Sequence, residues 1–131
     1  MTELDAIRLY ARMINTLDAS VIEPHLAPDV RYTSMWVFSD LIGKEAVLNY
    51  FQGKITTWRQ TLNNKPRMEI GETCEWADSS PGRPCAVAYQ SDSDTPDAML
   101  MVTTENGLIQ SMDLCIIFEP GGLRRTGEFP E

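Results

Sequence analysis

Two stretches of the chain carry apolar residues at the three- and four-residue spacing of an amphipathic helix. The first covers residues 3 to 17, where Thr2 precedes the stretch as an N-cap and Asp5 stands in the place of a capping-box acid. The second covers residues 44 to 62. Between them, a short further helix is predicted to end at about His25, so two helices precede the long one.

Strand-like patterns occupy most of the remaining sequence. β-branched and aromatic residues concentrate between Val30 and Phe38, which predicts a strand ahead of the long helix. Four more strand candidates follow that helix, at Arg67 to Ala77, Cys85 to Ser91, Ala98 to Thr104 and Leu108 to Glu119. Asn106 and Gly107 predict a two-residue hairpin between the last two, because both tolerate positive φ. The tail from Gly121 to Glu131 is predicted to be exposed or to pack on a neighbour.

The order of these elements predicts an α+β fold in which helices and strands are segregated. A curved antiparallel sheet wrapped around the long helix, with two N-terminal helices beside it, encloses a cone. The mouth of such a cone is a natural ligand site. Residues 1–131 contain no repeat, low-complexity run or linker, so we predict a single cone domain.

Charge and composition limit the classes of partner that the protein is expected to bind. The formal net charge is −8, which disfavours binding to nucleic acid and to anionic membranes. No apolar run is long enough for a membrane span, and the acidic start lacks the basic region of a signal peptide, so a cytoplasmic location is expected. Three widely spaced cysteines and a single histidine, His25, predict neither a metal site nor a disulfide framework. No cofactor is predicted.

Two segments carry a family resemblance. The stretch from Leu26 to Trp36, followed by Gly43 to Phe51, resembles the signature of the nuclear-transport-factor-two-like superfamily. That superfamily includes ketosteroid isomerases, scytalone dehydratase and SnoaL-type polyketide cyclases. The similarity to ketosteroid isomerases runs from about Tyr10 to Phe51 and resumes from Thr104 to Met112. With the pattern between these stretches, the resemblance reaches a little over half of the chain. The resemblance implies the cone-shaped, cystatin-like fold and points to the SnoaL-like or ketosteroid-isomerase-like branch.

The resemblance also implies a set of candidate catalytic positions. Ketosteroid isomerases use a carboxylate base with a tyrosine and a protonated aspartate as donors. The matching positions here are Ser34 for the base, Tyr10 for the tyrosine and Met99 for the aspartate. A serine cannot act as a general base near neutral pH without its own activating base, so steroid isomerase activity is not expected. SnoaL-type cyclases imply a single acid–base carboxylate, for which Asp40 and Asp97 on predicted rim loops are the nearest candidates. Tyr10 and Asp40 are the predicted catalytic pair.

The resemblance implies that Ser34 and Met99 face the cone, and from these positions the alternation of strand residues predicts which other side chains line it. Strand residues predicted to face the ligand are Tyr32, Ser34, Trp36, Met99, Met101, Met112, Leu114 and Ile116. Phe51 and Trp58 are predicted to face them from the long helix. Residues predicted to lie on the opposite, convex face are Thr33, Met35, Leu100, Val102, Cys115 and Ile117. That apolar convex face predicts a homodimer.

These patterns support one leading hypothesis and leave two alternatives open. The leading hypothesis is a domain that binds a small, largely apolar molecule, with proton-transfer chemistry of the isomerase, cyclase or dehydratase type if it is an enzyme. The first alternative is a non-catalytic ligand-binding domain, and the second is a protein-assembly domain of the same fold. An open cavity containing a tyrosine or carboxylate favours the leading hypothesis, whereas a collapsed cavity with a large apolar sheet face favours assembly.

Overall fold

The computed structural model describes residues 1–34, 39–61, 65–73, 82–90, 92–117 and 123–131. Within these ranges the chain forms two α-helices, α1 (Glu3–Thr16) and α2 (Lys44–Gln60), and two single 3₁₀ turns at Ala19–Val21 and Glu23–His25. The strands are β1 (Leu26–Ser34), β2 (Leu41–Ile42), β3 (Pro66–Thr73), β4 (Pro84–Gln90), β5 (Ala98–Glu105), β6 (Leu108–Ile116) and β7 (Leu123–Glu128). None of the helices in the described part of the chain is long and apolar enough to cross a membrane.

Helix α1 begins at the predicted capping box. The Thr2 hydroxyl accepts a hydrogen bond from the Asp5 N–H at 3.1 Å, and the Asp5 carboxylate accepts one from the Thr2 N–H at 2.9 Å. The helix ends at Leu17, which adopts left-handed φ of 55°. The apolar face between these two caps is buried against the sheet. The predicted second helix forms the two 3₁₀ turns, since Pro24 restricts helix growth there.

The strands form one sheet in the order β2-β1-β6-β5-β4-β3-β7. Strands β3 to β6 pair as antiparallel neighbours, as the sequence predicted, and β1 joins β6 in the parallel sense. β7 pairs antiparallel with β3. The part of the tail in β7 therefore pairs with the chain's own sheet as an edge strand, and most of its residues are exposed, as the sequence predicted.

Asn15 ties α1 to the sheet and to the tail. Its side-chain amide donates to the carbonyls of Met68 at 2.9 Å and Pro130 at 2.8 Å, and its amide oxygen accepts from the Met68 N–H at 2.8 Å. Because these bonds satisfy backbone groups of two separate segments, they fix the position of α1 over β3. The same bonds position the Met68 side chain, which faces α1 in the main core.

A bulge in β6 reverses the predicted facing of β5. The hairpin pairs Glu105 with Leu108, and uninterrupted pairing from this turn would set Met99 opposite Leu114. Instead Thr104 pairs with Ile109 and Thr103 with Ser111, so one residue of β6, Gln110, has no partner in β5.

The shift places Leu100 opposite Leu114 and Met99 opposite Cys115. Directly paired residues share a sheet face, so β5 turns the other set of side chains inward. The prediction that Met99 and Met101 face the ligand is therefore corrected, because both lie on the outer face. The placement of Leu100 and Val102 on the convex face is corrected too, because both are buried in the main core.

Apolar side chains are buried on both faces of the sheet. The larger cluster lies between the inner face and the helices. A smaller cluster on the outer face buries Cys85, Val87, Tyr89 and Met99, with Phe129 of the tail packed against it. Among the described residues, the large hydrophobics that remain exposed are Met1 and Ile42. The outer face is therefore less apolar at its surface than the sequence predicted.

Candidate ligand-binding cavity

A cavity of about 600 Å³ lies between the two helices and the inner face of the sheet. Its walls come from α1, α2 and strands β1, β3, β4, β5 and β6. On the helices it is lined by Tyr10, Ile14, Tyr50, Phe51, Lys54 and Trp58. On the strand side it is lined by Tyr32, Ser34, Pro66, Met68, Ala88, Gln90, Asp97, Ala98, Leu114 and Ile116. The cone is therefore open rather than collapsed.

Four aromatic rings form a cluster on one side of the cavity. The ring of Phe51 lies edge-on to Tyr32, with centroids 5.4 Å apart, and makes a similar contact with Tyr10 at 6.0 Å. Tyr50 lies 5.2 Å from Tyr32. Edge-to-face pairs of this kind add to the stabilisation from burial. The cluster gives the cavity a rigid aromatic wall.

Tyr10 presents a phenol to this apolar space. Its side chain is 4% exposed, and no hydrogen bond joins its hydroxyl to another residue in the described ranges. No fully buried side-chain nitrogen or oxygen lacks a partner among the described residues, so the hydroxyl reaches the open space of the cavity. Burial raises the pKa of Tyr10, and nearby Tyr50 adds to the rise. Tyr10 therefore stays protonated at neutral pH and can donate a hydrogen bond to a ligand.

Tyr32 and Ser34 form the β1 side of the cavity. Both are buried, at 2% and 5% exposure. Burial raises the pKa of Tyr32, with Tyr10 and Tyr50 adding to the rise, while hydrogen bonding from the Ser34 hydroxyl lowers it. The net shift keeps Tyr32 a neutral phenol. This wall therefore offers hydroxyl groups but no carboxylate to a ligand.

Polar groups concentrate at the mouth of the cavity. Lys54, Gln90 and Asp97 line it with exposed side chains. Lys54 extends from α2 over the Tyr50 ring, with its ammonium nitrogen 5.6 Å from the ring centroid. Asp97 immediately precedes β5, and its N–H donates to the Ala88 carbonyl at 2.8 Å. The cavity thus has an apolar interior and a charged rim.

The structure brings most of the predicted site residues to this cavity. Those that line it are Tyr10, Tyr32, Ser34, Phe51, Trp58, Leu114 and Ile116. Met112 lies on the same sheet face but is fully buried in the core beyond the cavity lining. Met99 and Met101 lie on the outer face. Trp36 is outside the described residues.

Asp40 is not part of the cavity. Its carboxylate faces Arg31 across 3.6 Å, and both side chains are largely exposed. The predicted pairing of Tyr10 with Asp40 is therefore corrected, because Asp40 lies beside Arg31 at the surface and outside the cavity lining. Asp97, the other acid considered from the sequence, is the one acidic side chain in the described cavity lining.

Lys54 and Ala98 are among the cavity residues that sequence reasoning did not assign to the ligand site, and the sequence carried a signal only for Lys54. Lys54 lies one helical turn after Tyr50 and one turn before Trp58, so i, i+4 spacing already places all three on one ridge of α2. Ala98 starts β5, and the bulge at Gln110 gives it the inward direction. The helix spacing is visible in the sequence, whereas the bulge is not.

The described residues hold no group of three or more His, Cys, Asp or Glu side chains arranged for a metal ion. His25 lies away from the cavity, in a surface groove with Arg8 and Arg12. The polar groups that the cavity offers are therefore hydroxyls, one amide, one ammonium and one carboxylate.

No protein-family model and no curated protein matches this sequence. Solved structures do share its fold. An NTF2-like protein with a cystatin-like fold from Novosphingobium aromaticivorans matches with a TM-score of 0.57 at 15% identity, over 91% of this chain and 82% of that one. A Mycobacterium tuberculosis protein in complex with estradiol-17β-hemisuccinate matches with a TM-score of 0.59 at 20% identity, over 92% and 96%. A candidate polyketide cyclase from Sinorhizobium meliloti matches with a TM-score of 0.57 at 14% identity, over 84% and 93%.

These likenesses establish the fold of the chain. It has the NTF2-like, cystatin-like fold, an α+β cone built from a curved, mostly antiparallel sheet and its helices. The resemblance seen in the sequence is confirmed at this level. Identities of 20% or less show the fold alone, so membership of the superfamily and the branch within it stay predictions.

Proposed function

We propose that this protein binds a small, largely apolar molecule in its cone cavity, with Tyr10 donating a hydrogen bond to an acceptor on that molecule. The observation that carries the proposal is a buried phenol with no partner in the described structure, opening into an aromatic cavity of about 600 Å³. A cavity of this volume lies within the usual range for small-molecule sites. A hydrogen-bond donor inside an apolar cavity adds specificity, because a ligand without an acceptor leaves it unsatisfied.

Relatives of the same fold support ligand binding as a class. One is in complex with estradiol-17β-hemisuccinate and another is a candidate polyketide cyclase. The open cavity and the limited apolar exposure of the outer face argue against the protein-assembly alternative. The cytoplasmic location and the absence of nucleic-acid and membrane partners stay predictions from composition.

A second candidate function is proton transfer on the bound molecule. It is favoured by Tyr10, a protonated donor suited to a carbonyl or enolate oxygen, and by Asp97, a carboxylate at the same cavity. Ser34 supplies no base. In this reading Asp97, rather than Asp40, takes the acid–base role in isomerase-, cyclase- or dehydratase-type chemistry.

The binding proposal is tested with N-phenyl-1-naphthylamine, a neutral apolar dye whose fluorescence rises on leaving water. We expect saturable binding with energy transfer from Trp58, which lies at the cavity. Ala88→Phe fills part of the cavity and should weaken binding at least tenfold, because Ala88 lines it.

Gln52→Phe is the matched control, since Gln52 is exposed on α2 and lies outside the cavity lining. It should leave the dye affinity unchanged. A folded wild-type protein that does not bind the dye, or an Ala88→Phe variant that binds it normally, would count against the proposal.

A further inference from the structure

We infer that the natural ligand is amphipathic and carries an anionic group that Lys54 recognises at the mouth of the cavity. This inference rests on the proposed function, because it assigns the chemistry of one end of the same ligand. The apolar body would occupy the aromatic interior beside Tyr10, and the anion would remain at the rim. Lys54 would then favour apolar molecules that carry an anionic group over those that lack one.

The first support is the placement of Lys54. It lies on the ridge of α2 between Tyr50 and Trp58, both of which line the cavity. The ammonium nitrogen lies 5.6 Å from the centroid of the Tyr50 ring, a cation–π contact that directs the otherwise flexible side chain toward the mouth. Without such a contact a surface lysine keeps its rotamer freedom, so the attraction to the Tyr50 ring offsets part of the entropy lost when the side chain is ordered.

The second support is the charge around this ammonium. Lys54 makes no salt bridge with any acid in the described ranges, so its charge is available to a ligand. The whole chain carries a formal net charge of −8, which disfavours anions over most of its surface. Lys54, the one cation in the described part of the cavity lining, therefore gives an anionic molecule a favourable place to bind at the mouth.

The third support is the arrangement of the other polar groups at the rim. Gln90 at the end of β4 and Asp97 just before β5 belong to the strand part of the cavity lining, whereas Lys54 belongs to α2. Asp97 repels an anion and favours a hydrogen-bond donor. The α2 side of the rim thus attracts an anion, whereas the side with Asp97 repels it. We expect the anionic group of the ligand on the α2 side, with Tyr50 and Trp58 against the apolar part of the ligand next to that group.

The inference is tested with two dyes of one ring skeleton. N-phenyl-1-naphthylamine is neutral, whereas 8-anilinonaphthalene-1-sulfonate adds a sulfonate to the same framework. Lys54→Gln should raise the dissociation constant of the sulfonate dye about three- to tenfold and leave that of the neutral dye unchanged. Lys54→Arg should keep most of the affinity. Because the charge is partly exposed, 0.5 M salt should reduce the difference between wild type and Lys54→Gln.

Two controls localise the effect. Lys44→Gln removes the same charge from the start of α2, outside the cavity, and should change neither constant. Ala88→Phe should weaken both dyes, because both occupy the cavity. Asp97→Asn should strengthen binding of the sulfonate dye or leave it unchanged.

The outcomes separate the two proposals. If the neutral dye binds in the cavity but Lys54→Gln leaves the sulfonate dye unaffected, or weakens both dyes equally, the inference is overturned while the binding function stands. Sulfonate binding that survives Ala88→Phe places that dye elsewhere and also overturns the inference. If the folded wild-type protein binds neither dye, the proposed function fails and the inference fails with it.

Discussion

Glu69 of β3 is a buried carboxylate that fastens β7 to the sheet. One of its oxygens accepts hydrogen bonds from the Tyr89 hydroxyl at 2.6 Å and the Arg125 guanidinium at 2.8 Å. The other accepts from the Gly127 N–H at 2.8 Å. The carboxylate is 1% exposed, so its charge is tolerated only because these donors compensate for lost hydration.

Glu69→Ala should lower the free energy of unfolding by about 2–4 kcal/mol, because it leaves the buried Tyr89 hydroxyl without its acceptor and removes two hydrogen bonds that hold β7. Glu72→Ala is the matched control. Glu72 also lies on β3 and pairs with an arginine of β7, Arg124 at 3.0 Å, but in an exposed position. Its loss should cost less than about 1 kcal/mol. Urea denaturation measures the free energy of unfolding of both variants. Equal losses of stability would show that the burial of Glu69 does not increase its contribution.

The same carboxylate predicts a pH dependence of stability. Burial acts to raise the pKa of Glu69, but the hydrogen bonds from Tyr89, Arg125 and Gly127 outweigh it, and the pKa lies below its ordinary value. A depressed pKa in the folded state means that the contribution is complete above the unfolded pKa of about 4.3 and is lost as the pH falls through the folded value. The stability difference between wild type and Glu69→Gln should therefore be constant near pH 7 and shrink below about pH 4. A difference that grows on acidification would contradict this assignment.

Ser34 occupies the position that the sequence resemblance assigns to the catalytic base of ketosteroid isomerases. It lines the cavity, and β1–β6 pairing sets it beside Leu114, which also lines the cavity. The wild-type protein should show no ketosteroid isomerase activity. Ser34→Asp should raise any trace activity on a β,γ-unsaturated ketone by about 10²-fold or more, provided the substrate enters the cavity.

A second carboxyl group should add to this activity at Ala98 and not at Met99. Ala98 lines the cavity, whereas Met99 is buried in the outer-face cluster. Rates of dienone formation for Ser34→Asp combined with each substitution provide the comparison. Robust isomerase activity in the wild type, or a gain from Met99→Asp equal to that from Ala98→Asp, would show that this assignment of facing is wrong.

At the scale of elements, the bulge in β6 sets which side chains form the cavity. Gln110 has no partner in β5, and its side chain donates to the Asp29 carboxylate of β1 at 3.1 Å. The extra residue lets Ile109 and Met112 both point into the main core although their sequence separation is odd. The bulge therefore allows a tight hairpin between β5 and β6 while β5 turns Ala98, Leu100 and Val102 toward the inner face of the sheet.

Deleting Gln110 should abolish folding or cost most of the stability. Without the extra residue, β5 and β6 would pair regularly, and one of the two strands would have its facing reversed. The apolar side chains of that strand that now lie in the core would become exposed, and those on its outer face would be buried. Deleting Asp94 from the exposed loop before β5 is the control and should be tolerated. Circular dichroism and thermal unfolding would decide. A ΔGln110 protein as stable as the wild type would mean that the bulge does not set the facing.

The elements that the sequence missed are those with weak local patterns. β2 is two residues long, and β7 has the sequence Leu-Arg-Arg-Thr-Gly-Glu, which lacks alternation of apolar residues. β7 forms because β3 offers it a sheet edge and Glu69 binds its backbone and Arg125. Such contacts join residues more than fifty positions apart, so no local window contains them.

At the scale of the whole molecule, a homodimer formed through the outer face of the sheet stays a prediction. The surface available to it is smaller than expected, because Leu100 and Val102 point inward while Met101, Cys115 and Ile117 are only partly exposed. We expect a dimer by sedimentation velocity at micromolar concentration, and Met101→Lys should weaken it. A single species of 14.8 kDa in the wild type would contradict the prediction.

Helical periodicity, the capping box of α1 and the Asn-Gly hairpin were sufficient to place the helices and most strands, because each depends on residues close together in the chain. The α+β cone, and therefore a cavity facing Tyr10, Tyr32 and Phe51, followed from their order. Two features were decided only by the tertiary structure: the facing of Met99 and the position of Asp40 beside Arg31, outside the cavity. Asp97 lies at the mouth, as its predicted rim loop implied. A one-residue bulge reverses the facing of β5, and the fold places Asp40 next to Arg31 of β1. Neither leaves a periodic signal, since both are resolved only when distant segments meet.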